Sequence, residues 1–285
     1  MVWQTQEYYA REAQTLPPLE FKRIHRNQWV SPASAFIQPE WWDACANSDL
    51  SMLADFDRTP VVVGIDMAVS RDCAALVAVT RDPFDPANSV AIRAVRIFSP
   101  KQSGGIIDQE MLVRPVIEDM ARRWNVICWA YDPKEMAKLA QDLSRAGLGW
   151  FRPFGQVNPR AISDKQLHDM IMHRQISWNP STTIGEVGDR GQAGETLYNH
   201  ITKAGAVTRN ESYRLEKLSA ATHIDAAVAL SQAAYIALQL NIGNKENSES
   251  DLIRKLQRRE ITLEEFSNRM RESHAILREM QHDRN

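Results

Sequence analysis

The sequence predicts an α/β fold, a mixed central sheet of about five core strands with the first three antiparallel, flanked by helices. Three observations predict it. Residues 61–80 read as two β-branched or apolar strands around a Val-Ser-Arg turn. Residues 126–131, VICWAY, form a short continuous apolar run, as strands buried on both faces do. The stretch before them has helical spacing, so a helical crossover would bring this strand parallel to the first. Residues 226–240 are helical in pattern and apolar nearly all round, which suits a helix buried against a sheet.

The elements follow in order. Residues 1–57 read as an irregular N-terminal segment packed on the core. Pro17, Pro18, Pro32 and Pro39 interrupt it, residues 7–14 allow a short helix, and Trp3, Trp29, Trp41 and Trp42 are read as core aromatics. Residues 58–240 form the main domain. After the hairpin, Pro83, Pro86 and Asn88 mark a turn, and residues 89–98 form the third strand. Gly104-Gly105 breaks the chain. Apolar residues at 113, 116, 117, 120, 121 and 124 then repeat with the helical period. Asp132-Pro133 ends the 126–131 strand. Met136, Leu139, Ala140 and Leu143 mark a helix that stops at Gly147. Residues 150–154 read as a fifth strand and 163–174 as a helix. Residues 179–194 are a loop with glycines at 185, 188, 191 and 194. Leu197, Tyr198, Ile201 and Ala204 restore helical spacing, closed by Gly205. Residues 241–285 are a polar linker (241–250) and a charged helical tail, where Thr262 with Glu265 makes a capping box.

Composition narrows the function classes. No apolar run is long enough to span a bilayer, and the N-terminus lacks the pattern of a signal peptide, so no membrane and no secretion are expected. Cys45, Cys73 and Cys128 form no CxxC pair, which indicates neither a zinc site nor a disulfide framework, and a reducing compartment fits. The net charge of −2 provides no global basic field, so nucleic-acid binding would need a local patch or bound metal.

Four acids stand at the ends of apolar elements. Asp66 ends the first strand and Asp72 starts the second. Asp132 follows the 126–131 strand, and Asp225 precedes the apolar helix. A carboxylate in such surroundings needs a partner. If the strands ending at Asp66 and Asp132 lie side by side and parallel, both acids stand at the C-terminal edge, where open α/β sheets place ligands. A helix N-terminus delivering Asp225 would complete a cluster of the ligands Mg²⁺ and Mn²⁺ prefer. Two such ions, about 4 Å apart, would activate water against a phosphodiester. Each acid also has a plain reading. Arg71 could make the hairpin of Asp66 and Asp72 an ion-paired one, Asp132 could be an N-cap with Pro133 at the first helical position, and Thr222 with Asp225 could be a capping pair.

The runs GIDMAVSRDCAAL, WAYDP and YRLEKLSAATHIDAAVALSQAAYIAL resemble the C-terminal nuclease domain of the large terminase subunit of tailed bacteriophages, a domain of the ribonuclease H-like superfamily. PPLEFKRIHRNQWVSPASAFIQPEWWDAC resembles the segment joining motor to nuclease in that family, and the resemblance covers residues 7–240 or so. It implies a ribonuclease H-like sheet and a catalytic set of Asp66, Asp132 and Asp225. Asp66 would bridge two Mg²⁺ or Mn²⁺ ions, Asp132 and Asp225 would hold one each, and Asp72 would be an accessory metal-side acid. Lys217 and His223 would contact the scissile phosphate, or else serve packing, and the 185–194 loop would be a DNA-contacting flap. The implied function is a metal-dependent endonuclease that cuts double-stranded viral DNA during genome packaging in the host cytoplasm.

The sequence also departs from the family. No G-x-x-x-x-G-K-[S/T] occurs, so the ATPase motor is expected as a separate domain or chain, with the portal protein and small terminase subunit as further partners. The tail after residue 250 lies outside the nuclease pattern. A junction resolvase or transposase-type nuclease of the same superfamily is the alternative enzyme. A non-catalytic packaging assembly module is the alternative from another class.

Overall fold

The structure is a computed structural model of the 285-residue chain; it describes Thr5, Tyr8, Tyr9, His25, residues 34–68, 72–100, 104–155, 158–181, 196–209, 212–219, 222–242 and Thr262. The short helix expected at 7–14, Trp3, Trp29, Arg71, the 185–194 loop and the 251–285 tail lie wholly or mostly outside the described residues.

The first two strands are β1 (Ser34–Ala35) and β2 (Val61–Asp66), with α1 (Pro39–Asp43) between them. Then come β3 (Ala74–Arg81), β4 (Val90–Phe98), α2 (Arg114–Arg123), β5 (Val126–Tyr131), α3 (Pro133–Arg145), β6 (Phe151–Pro153) and α4 (Asn158–Met172). The chain continues through β7 (Ile176–Ser177), α5 (Leu197–Thr202), β8 (Ala204–Arg209), β9 (Ser212–Lys217) and α6 (Asp225–Gln239). The central sheet has the order β6-β5-β2-β3-β4-β7. β2, β3 and β4 are antiparallel neighbours, while β5 runs parallel to β2 and β6 parallel to β5. This is the mixed sheet the sequence predicts.

Strand alternation sends successive side chains to opposite faces. Val62, Ala75, Val77, Cys128 and Ala130 pack with α6 and with Leu167, Met170 and Ile171 of α4. Val61, Val63, Ile65, Leu76, Trp129 and Tyr131 pack on the other side with Ile117 and Met120 of α2 and Met136, Leu139 and Leu143 of α3. The result is three layers, with the sheet buried on both faces. No helix of the described residues is long and apolar enough to cross a membrane.

Gly64 sets the distance between β2 and α6. A Cβ there would lie 2.0 Å from the carbonyl oxygen of Ala229 and 3.0 Å from the backbone nitrogen of Ala233. Only a residue without a Cβ lets the helix backbone lie this close. The helix runs antiparallel to β2. Its N-terminal Asp225 lies over the Asp66 end, while Asn241, just beyond its C-terminus, accepts a 2.8 Å hydrogen bond from Arg81 at the far end of β3.

Several expectations need correction. The helix expected to close at Gly205 ends at Thr202, and Ala204–Arg209 and Ser212–Lys217 pair as the antiparallel strands β8 and β9, to which β1 adds a third strand. Ala204, Ala206, Val207 and Leu215 are buried, and the adjacent Ala206 and Val207 interrupt the two-residue period. The two-residue β7 extends the main sheet from β4, too short a strand to announce itself by pattern. The helix expected at 163–174 starts at Asn158. The 241–250 linker is anchored at its first residues, because Ile242 is buried in the core. Trp42 fits the packing reading. It is buried and stacked on Trp178 at 5.5 Å between centroids, and the Trp178 indole N–H donates to the Trp42 carbonyl at 3.1 Å.

Candidate metal centre

The sheet register brings Asp66 and Asp132 together. Ile65 pairs with Tyr131 in the parallel β2–β5 ladder, so the next residue of each strand stands at the C-terminal edge. Val62 and Gly64 on β2, and Cys128 and Ala130 on β5, face α6, and alternation assigns Asp66 and Asp132 to that same face. Asp132 is also the N-cap of α3. Its Oδ1 accepts the Lys134 N–H at 2.9 Å, with Pro133 in the first turn. The capping reading is therefore real, and it uses one oxygen of a half-exposed carboxylate.

Asp225 arrives from the opposite layer as the first residue of α6, one turn before the Ala229 that sits over Gly64. It is only 5% exposed. Its Oδ2 is buried and has no hydrogen-bond partner among the described residues. The Thr222–Asp225 capping pair is not formed, since the Thr222 hydroxyl lies 2.9 Å from Ser219 Oγ and the cap position is Ile224. His200 of α5 does the capping from a distance. Its Nδ1 accepts the Ala226 N–H at 3.0 Å. His200 was not legible as a site neighbour because its partner lies 26 residues away.

Asp72, expected beside Arg71, is ion-paired with Lys217 at the end of β9. His223 Nδ1 lies between two acids, 3.7 Å from Asp72 Oδ1 and 3.9 Å from Asp225 Oδ2. All six sequence-predicted residues thus fall in one neighbourhood, through direct contacts or through the charge effects that follow.

The electrostatics are those of carboxylates short of positive charge. Asp66 keeps part of its surface open, yet its pKa is pushed up to about 8. Burial is the main cause; the charges of Asp225 and Asp132 add to it, and Arg160 and Lys217 oppose it. Asp225 is also raised, chiefly by burial and further by Asp72, against His200 and Lys217. A divalent ion is the partner such a set of oxygens accepts, and Asp66, Asp132 and Asp225, with Asp72 beside them, could hold one or two. One group of three potential ligands closes within 4.8 Å among the described residues: Cys73, His223 and Asp225.

A fifth acid, Asp164 of α4, belongs to the scaffold. It is fully buried and accepts hydrogen bonds from Ser231 Oγ at 2.7 Å and the Leu215 N–H at 3.0 Å, with Arg160 Nε 3.4 Å away. It ties α4 and α6 to the hairpin that carries Lys217.

No protein-family model matches the sequence, and no curated protein matches it. Solved structures do. The large terminase of bacteriophage HK97 overlays 82% of this chain with a TM-score of 0.54 at 17% identity, over 51% of its own length. The large terminase of a thermophilic bacteriophage, in complex with ATP-gamma-S, overlays 80% of this chain with a TM-score of 0.50 at 7% identity, over 52% of its own length. The chain thus spans about half the length of the terminases whose fold it shares.

Proposed function

We propose that the chain is a metal-dependent endonuclease that cuts double-stranded DNA during bacteriophage genome packaging, as the nuclease part of a large terminase. One observation carries the reading. Asp66, Asp132 and Asp225 come from two strands and a helix to one edge of the sheet, and the buried Oδ2 of Asp225 has no hydrogen-bond partner among the described residues.

Two Mg²⁺ or Mn²⁺ ions held by Asp66, Asp132 and Asp225, with Asp72 as accessory, would supply Lewis-acid charge and an acidified water for phosphodiester hydrolysis. The protein's own part is positional. Asp66 feels the charges of both Asp132 and Asp225, which suits the bridging role. Asp132 is fixed by its cap bond and Asp225 by the Gly64 contact and His200. Lys217 and His223 flank Asp72, which supports a role for them in contacting a phosphate oxygen.

The shared fold with two large terminases supports the packaging context. We assign residues 1–57 to the joining segment, 58–240 to the nuclease domain and 241–285 to a linker and tail. The sequence contains no P-loop motif, so ATP-driven translocation falls to a motor domain or separate chain in the host cytoplasm. The portal and small terminase subunit complete the proposed partners.

The test is a titration of Mn²⁺ or Mg²⁺ into the chain with supercoiled plasmid. Nicked and then linear DNA, abolished by EDTA, is the expected result. Absence of product at every metal concentration would favour an assembly module. Cleavage restricted to branched DNA would favour a resolvase.

A further inference from the structure

We propose that Cys73, His223 and Asp225 form a second metal site, selective for a thiophilic divalent ion of the Zn²⁺ class, beside the carboxylate cluster and sharing Asp225 with it. One ligand atom from each residue lies within 4.8 Å of the others, and the imidazole Nδ1 and the Asp225 Oδ2 are 3.9 Å apart. Ligands of a tetrahedral zinc, at about 2.0 Å for nitrogen and oxygen and about 2.3 Å for sulfur, stand about 3.3–3.8 Å from one another. Closure therefore asks each side chain to move by about 1 Å or less.

The donor chemistry separates this site from its neighbour. Mg²⁺ takes oxygen ligands and leaves a thiol untouched, whereas thiolate, imidazole and carboxylate together suit zinc and cobalt. Asp225 offers a buried oxygen without a hydrogen-bond partner among the described residues, the state of a group awaiting a cation. The ligands also come from well-placed backbone. Cys73 is 0% exposed and immediately precedes β3, and its side chain packs on the α6 face. His223 and Asp225 flank Ile224, the cap residue of α6. Asp72 Oδ1, 3.7 Å from His223 Nδ1, or a water can fill the fourth position.

Binding displaces one proton: the Cys73 thiol releases its hydrogen to solvent as sulfur bonds to the ion. Binding stands apart from the nuclease reading. Its consequence rests on that reading: an ion that captures Asp225 competes with the hydrolytic ions, so Zn²⁺ inhibits cleavage supported by Mn²⁺.

The experiment uses the full chain with Co²⁺ as a spectroscopic probe. One equivalent of Co²⁺ should produce a near-ultraviolet thiolate-to-cobalt band that Zn²⁺ abolishes by displacement and Mg²⁺ does not. Cys73→Ser should lose the band with its circular dichroism unchanged, while Cys45→Ser and Cys128→Ser should keep it. The same Cys73→Ser variant should retain Mn²⁺-driven nicking and need at least about tenfold more Zn²⁺ for inhibition. If Cys73→Ser fails to fold, His223→Ala, at a half-buried position, should weaken Co²⁺ binding at least about tenfold. Absence of the band in the wild type, or its persistence in Cys73→Ser, overturns the proposal. A chain that shows the band but cuts no DNA supports this site and overturns the nuclease reading alone.

Discussion

Replacing Asp66 by Asn in the metal-free protein should raise its stability, and the gain should grow with pH. The folded carboxyl holds its proton up to about pH 8, whereas its ordinary pKa is 3.8. Folding therefore takes up a proton through this window. The stability from that proton is complete below about pH 4 and is lost as pH rises through about 8. From pH 5 to pH 8 the loss is about 1.4 kcal/mol per unit, a ceiling of about 4 kcal/mol. Water reaches a side chain that is partly open and screens its charge, so a gain of about 1–2 kcal/mol at pH 8 is expected. Asn keeps the shape and carries no charge at either pH. Urea unfolding in EDTA at pH 5 and pH 8, wild type beside variant, reads the difference as a shift in midpoint. Millimolar Mn²⁺ should then stabilise the wild type at pH 8 and leave the Asn variant nearly unmoved. A variant less stable than wild type at pH 8 in EDTA, or a gain that ignores pH, would refute the reasoning.

Three further outcomes follow from the packing. Gly64→Ala should cost about 2–3 kcal/mol and impair cleavage, since its Cβ would press on the Ala229 carbonyl and push Asp225 away; thermal melts and plasmid nicking check both. Asp164→Ala should cost about 3 kcal/mol or more by leaving Arg160, Ser231 and the Leu215 N–H without their shared acceptor, and a urea melt reads it. A chain truncated after Gly243 should fold and keep metal-dependent cleavage, whereas one truncated after Leu240 should melt lower because it loses the buried Ile242; a melt of each separates them.

The parts of the fold visible in the sequence are those with a strong period or a continuous apolar run. The 61–80 hairpin, the 126–131 strand and α6 are of this kind, and they carry or adjoin Asp66, Asp72, Asp132 and Asp225. The β8–β9 hairpin stayed hidden because its buried apolar positions, Ala204, Ala206, Val207 and Leu215, include the adjacent pair Ala206 and Val207 and so show no clean two-residue period. With it went the place of Lys217, which the structure pairs with Asp72. His200 and Asp164 were illegible for another reason. Each acts through a partner far along the chain, and only tertiary packing makes one a helix cap and the other a buried acceptor. Gly64 was in view as part of a strand, but its function depends on how closely the distant Ala229 of α6 approaches.

The clustered acids are proposed to hold the ions that cut DNA. The direct measurement is the rate of plasmid nicking in Mn²⁺ by the wild type and by Asp66→Asn, Asp132→Asn and Asp225→Asn, with the fold of each verified by circular dichroism. The account predicts folded variants that have lost cleavage by about a thousandfold or more, a barrier increase of about 4 kcal/mol. A folded Asp66→Asn variant that nicks plasmid at the wild-type rate would contradict it.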